Sequence, residues 1–113
     1  MSRYFPEGDD LHQLMLFPGV KAFTAPGEHI HISKVEFEDG GIVELHSHPH
    51  EQCGVMVRGR ARFEIGDEVR ELGPGDTYRI PGGIPHRVVG LEAPALAVDF
   101  FFPIRETYLK PGN

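Results

Sequence analysis

One cysteine, Cys53, is present in 113 residues, so no intrachain disulfide can form and nothing points to an oxidising compartment. Basic residues form no run or cluster and the formal net charge is -6, which argues against nucleic acid as a partner, because phosphate binding needs concentrated positive charge. Tryptophan is absent, and no long apolar run occurs. The stretch from Leu11 to Phe17 is interrupted by His12 and Gln13 and is far too short to span a bilayer. The opening residues carry Pro6, Glu7, Gly8, Asp9 and Asp10 and no apolar leader segment. These absences lead us to expect a soluble, cytoplasmic protein that engages neither membrane nor nucleic acid.

What is plentiful is punctuation. Fourteen glycines and ten prolines divide short apolar runs, the pattern of an all-β domain with tight turns. The alternation predicts strands over roughly 29–38, 42–46, 52–58, 61–65, 68–72, 77–80, 86–89 and 95–102. Gly66-Asp67 reads as a two-residue hairpin turn, and Gly59 as a second turn between strands. The segment from Asp9 to Phe17 could make about one helical turn, within an N-terminal arm covering residues 1–16. One domain over 1–113 is expected, with its barrel over 17–109. A sandwich, a jelly roll or a barrel would each satisfy this pattern.

Period-two alternation also assigns faces. Val43, Leu45, Cys53, Val55 and Val57 fall on one parity, and His46, His48 and Gln52 on the other. Val98, Phe100 and Phe102 likewise oppose Asp99 and Phe101. Strands apolar on the face away from a site need a cover. In so small a chain we expect a homodimer, the alternative cover being Phe17 and Phe23. Cys53 reads as a small buried apolar residue.

His46 and His48 lie where a strand meets Pro49, with both imidazoles facing one point. Gln52 keeps their parity if the chain resumes extended, whereas Glu51 does not. A fourth ligand must come from elsewhere, and His86, after Pro81-Gly82-Gly83-Ile84-Pro85, is the candidate. Imidazole with an amide oxygen suits a divalent transition metal, with Ni, Zn, Mn and Fe all open. Three neutral imidazoles and a neutral amide leave the ion's charge unbalanced, which favours an anionic small molecule as partner. His29-Ile30-His31 repeats the spacing without turn or partner motif and reads as a strand face. His50 reads as a solvated turn histidine, and Arg58, Arg60 and Arg62 as a solvated face.

Gly40, five residues, His46-Ser47-His48, three residues, Gln52, six residues, Gly59 resembles the first motif of the cupins, with Gln52 where that family normally has Glu. Gly75, five residues, Pro81, one residue, Gly83, two residues, His86 resembles the second; the Asn often found after its His would fall at Gly90. The resemblance implies a cupin-type double-stranded β-helix, a jelly-roll β-barrel. It also implies one divalent metal ion on His46, His48, Gln52 and His86.

A narrower resemblance adds to this. His46-Ser47-His48-Pro49-His50-Glu51-Gln52 together with Asp99-Phe100-Phe101-Phe102-Pro103-Ile104-Arg105 is similar to the pectin-degradation protein KdgF and its relatives. It implies an isomerase-type enzyme that opens 4,5-unsaturated monouronates from pectin or alginate into linear keto forms. Asp99 and Arg105 would be catalytic, and Phe101 and Arg105 would bind substrate. Asp99 would move a proton, Arg105 hold the carboxylate and Phe101 form an apolar wall. Plainer roles exist: Asp99 and Arg105 as an ion pair closing the barrel, Phe101 as core. Two other functions compete, a metal-dependent dioxygenase and a non-catalytic, metabolite-binding cupin.

Overall fold

The computed structural model describes residues 2–109 and is built almost wholly of strands. They are β1 (His12–Phe17), β2 (Val20–Pro26), β3 (His31–Phe37), β4 (Ile42–His46), β5 (Glu51–Ile65), β6 (Glu68–Leu72), β7 (Thr77–Ile80) and β8 (His86–Phe102). Two short 3₁₀ turns, Gly8–Asp10 and Glu106–Leu109, lie outside them. Among the described residues no helix is long and apolar enough to cross a membrane.

The two long strands organise the rest. β5 and β8 pair antiparallel from Glu51↔Phe102 to Ile65↔His86, and each passes from one sheet into the other. The first sheet runs β1-β2-β3, then the second half of β8, the first half of β5, and β7. The second runs β4, the first half of β8, the second half of β5, and β6. This is the double-stranded β-helix that the cupin resemblance implies. Leu14, Val20, Val35, Phe37, Met56, Phe63, Ile80 and Val88 fill the space between the sheets. Burying these side chains is the main favourable term in folding.

Several sequence expectations need correction. β1 takes the place of the expected helical turn and enters the expected arm, and β2 is a strand that the alternation did not predict: only Gly8–Asp10 coils, and pairing in the sheet starts at His12. Pro18 and Gly19, the latter at φ 78°, close a tight hairpin between them. Gly59 is no turn either. It lies within the unbroken β5, at the corner where the strand changes sheets, with register shifts on both sides. At φ 72° a Cβ would run into the Glu92 and Pro94 carbonyl oxygens, so glycine lets the two bends nest. The predicted strands 86–89 and 95–102 are likewise one strand.

A β-bulge overturns one face assignment. Val43 pairs with Val88 and His46 with His86, so three steps along β4 match two along β8. The extra residue turns Val43 inward beside His46, while Leu45 stays outside at 66% exposure. Cys53 is also exposed, because its parity in β5 is the outer one. Phe17 packs against the core, leaving Leu45, Val57, Phe100 and Phe102 uncovered on the outside.

Candidate metal and substrate site

Three histidines converge at one end of the barrel. β4 delivers His46, the turn after it His48, and the start of β8 His86. Their ring centroids are 4.3 Å apart for His46–His86, 5.0 Å for His48–His86 and 5.6 Å for His46–His48. One ligating atom from each lies within 4.8 Å of the others, a spacing at which three imidazoles could hold a metal ion.

The hydrogen bonds select one tautomer for all three. Nδ1 of His46 bonds the Glu44 carbonyl at 2.8 Å, that of His48 the His50 carbonyl at 3.1 Å, and that of His86 the Ile84 carbonyl at 2.8 Å. A carbonyl only accepts, so each Nδ1 carries the proton and each Nε2 keeps a lone pair. The His86 Nε2 is buried with no hydrogen-bond partner among the described residues, an arrangement costly without a ligand. The His48 Nε2 faces the Gln52 Oε1 at 3.0 Å, so two acceptors point into one space. These residues fit a metal, since backbone carbonyls orient the imidazoles as ligand-supporting groups do. Burial, the largest cause, holds all three histidines below the ordinary imidazole range, His48 down to about 4 with further help from Arg105. They are therefore neutral and ready to ligate at neutral pH.

Asp99 lies beside this cluster, buried in β8, and accepts hydrogen bonds from the Tyr78 hydroxyl and the Gln52 amide. Its amide turned toward Asp99, Gln52 presents its oxygen to the histidines. Burial raises the Asp99 carboxyl to about 6, and the Tyr78 and Gln52 hydrogen bonds and Arg105 pull the other way. Burial and Asp99 together push the Tyr78 phenol well above its usual range, so it stays a neutral donor.

Gly54 makes this contact possible. It pairs with Tyr78 on one side and Asp99 on the other. A Cβ there would sit inside the Tyr78 ring, which also packs on Phe63 at 4.3 Å. Gly54→Ala is expected to expel the phenol from Asp99 and cost about 1–3 kcal/mol by overpacking. Urea denaturation measures the stability, and turnover should fall with it; unchanged stability would mean the ring can move aside freely.

Arg105 forms no ion pair with Asp99 among the described residues; its guanidinium lies over the Tyr108 ring at 4.1 Å and the Phe101 ring at 5.1 Å. Its Nη1 donates to the Tyr108 hydroxyl at 2.8 Å. With His46, Gln52, His86, Tyr78 and Asp99 it lines an inner chamber of about 30 Å³. An outer chamber of about 270 Å³ opens from His46 and Arg105 between Leu14, Leu16, Phe17 and Val43. Phe101 lines neither. At 1% exposure it is a platform beneath Arg105 and His48, which corrects the expected apolar wall. His50 is half-buried, its Nδ1 shut in without a partner among the described residues, so the solvated-turn reading also fails. Arg60 pairs with Glu71 and Arg62 with Glu64 at a partly wet surface, as expected.

Sequence reasoning missed Tyr78, Tyr108 and His31. For Tyr78 a signal existed: Gly54 shares the inward parity of Gln52 and Met56, and a glycine facing inward in a strand marks close approach. His31 is fully buried, so the wet-face reading of His29-Ile30-His31 holds only for His29. Burial, with smaller contributions from His12, Arg105 and His50, lowers its pKa below 6.5. Below pH 6.5 the unfolded chain therefore binds a proton that the folded site resists. Stability gained from His31 is complete above that pH and drains away as pH falls. For the chelated protein, the stability lost in His31→Asn is expected to shrink from pH 7.5 to pH 5. A constant difference in urea midpoints would contradict this.

A barrel of two sheets with three histidines converging at one end defines a class of small all-β barrels with a candidate metal site at that end. The Cupin domain family matches residues 33–101, and the chain belongs to that family. The structure of KdgF from Halomonas sp. superposes with a TM-score of 0.83 at 29% identity, covering 94% of this chain and 98% of that one. An RmlC-like cupin from Shewanella frigidimarina shares the fold, with a TM-score of 0.83 at 23% identity, covering 95% of this chain and 96% of that one. Oxalate decarboxylase OxdC of Bacillus subtilis is 33% identical over 70 residues, 58% of this chain, and the match spans only 18% of that protein.

Proposed function

We propose that this protein opens 4,5-unsaturated monouronates to their linear keto forms on a metal held by His46, His48, Gln52 and His86. The observation that carries this reading is that Asp99 and Arg105 share one cavity with Gln52 and with His46 and His86 of the three-histidine cluster. The end-to-end likeness to KdgF supports it. The neighbours named KdgF and oxalate decarboxylase are enzymes, which favours catalysis over a binding role.

The inner chamber has room for little more than one water, so the sugar ring belongs in the outer chamber with its reacting edge turned inward. Arg105, steadied by Phe101 and Tyr108, takes the carboxylate in a two-pronged contact. The bound metal, of the Ni, Zn, Mn or Fe type, supplies Lewis-acid stabilisation of developing negative charge on oxygen. Asp99 takes the proton of the anomeric hydroxyl as the bond from that carbon to the ring oxygen breaks, leaving an aldehyde and an enolate. The same proton returns from Asp99 to the alkene carbon, giving the ketone. Nothing is added or lost, so the reaction is an isomerisation. Tyr78 and Gln52 keep the Asp99 carboxylate aimed during both transfers.

The test is NMR of freshly made unsaturated galacturonate with metal-loaded protein, following loss of the ring alkene. Ring opening no faster than the spontaneous rate, with metal confirmed bound, would refute the reaction. Apolar Leu45, Val57, Phe100 and Phe102 on the outer face further suggest that the working form is a homodimer. Phe102→Glu is expected to halve the mass in sedimentation velocity; a wild-type monomer at micromolar concentration would rule this out.

A further inference from the structure

His31 takes no part in the chemistry above, yet both its ring nitrogens are engaged. Its Nδ1 lies 3.1 Å from the backbone nitrogen of Arg105. Its Nε2 lies 2.6 Å from the Thr24 hydroxyl, and that hydroxyl donates to the Ile32 carbonyl at 3.1 Å. The chain of bonds has one direction. An amide N–H can only donate, so Nδ1 is the acceptor and Nε2 carries the proton. Nε2–H must then donate to Thr24, whose own proton goes to Ile32. Thr24 and His31 are both wholly buried, and each donor in the row is matched.

The row ends where the chain needs a hold. Sheet pairing of β8 stops at Phe102, so Arg105 has no strand partner. Its backbone is held by the His31 bond and by the turn in which Tyr108 N–H donates to the Arg105 carbonyl at 2.9 Å. The His31 ring also meets the edges of Phe101 and Tyr108, the two rings that carry the guanidinium, with centroids 6.4 and 6.1 Å away.

We propose that His31 is a positioning residue that fixes the Arg105 guanidinium at the cavity by accepting the Arg105 backbone N–H. It therefore sets the affinity for the substrate carboxylate. This rests on the reading of Arg105 as the carboxylate holder. His31 itself touches neither substrate nor metal ligand, so its loss should move KM and spare kcat.

Two variants separate positioning from mere filling of the core. His31→Leu fills space but accepts nothing, whereas His31→Asn places a carbonyl oxygen near the lost Nδ1. A filler role favours Leu; a positioning role favours Asn. With unsaturated galacturonate, His31→Leu is expected to raise KM about tenfold with kcat within about threefold, and to speed Arg105 amide hydrogen exchange about tenfold or more in zinc-loaded protein. His31→Asn should restore most of both. Leu values within twofold of wild type, or Asn no better than Leu, would overturn the proposal. The exchange measurement needs no turnover, so a wild-type protein inert toward uronates would strike the reaction and leave the His31 tether decided separately. If His31→Leu does not fold, the imidazole ¹⁵N shifts of wild type decide. A protonated Nδ1 on His31 would overturn the tether, and an unprotonated Nδ1 with a protonated Nε2 would support it.

Discussion

Asp99→Asn is expected to slow uronate ring opening by about 10²–10⁴-fold, the usual worth of a positioned general acid–base. Asparagine keeps the size of the side chain and an oxygen that can accept from the Tyr78 hydroxyl, so the packing around Gly54 should survive. What disappears is a group that can take and return a proton. Metal content should therefore remain at the wild-type level while turnover collapses. Stopped NMR time courses with metal analysis of the same sample make the check. A variant that retains both metal and more than about a tenth of the activity would remove Asp99 from the proton path.

Removal of the metal is the second large effect. Chelation should abolish turnover and also lower thermal stability, because an ion that binds only the folded state adds about 2.7 kcal/mol at a hundredfold excess over Kd. For a domain of this size that corresponds to a drop in Tm of roughly 10 °C. The buried His86 Nε2 gives the physical reason: without an ion it faces no partner among the described residues. In His86→Ala that unsatisfied nitrogen and one ligand go together. Its Tm should respond little to added metal or chelator, whereas wild type responds strongly. Equal responses in scanning calorimetry would place the ion elsewhere.

These two predictions concern residues of very different legibility. The three histidines could be paired on paper because strand parity brings His46 and His48 to one side, and spaced glycines and prolines mark where His86 must return. Asp99, Phe101 and Arg105 were legible only through a family resemblance. Its implied role for Phe101 did not survive contact with the fold, since a residue at 1% exposure is a support and no wall. Leu45 and Val43 show the limit of parity itself. A single bulged residue in β4 separates two positions that alternation puts together. Cys53 shows a second limit: an apolar run of one parity says that a face exists, without saying which side faces solvent.

Sequence by itself determined the strand-rich class, most strand positions from 31 to 102 and the histidine constellation, because period-two alternation and turn chemistry are local properties of the chain. Tertiary structure alone decided that Tyr78 reaches Asp99 across Gly54, that Gln52 turns its oxygen inward, and that His31 holds Arg105. Those contacts join residues 21 and 74 positions apart in the two longest cases. No local pattern encodes such a pairing; it exists only once β5 and β8 have wound two sheets around a common interior and brought unrelated stretches of chain to the same level of the barrel.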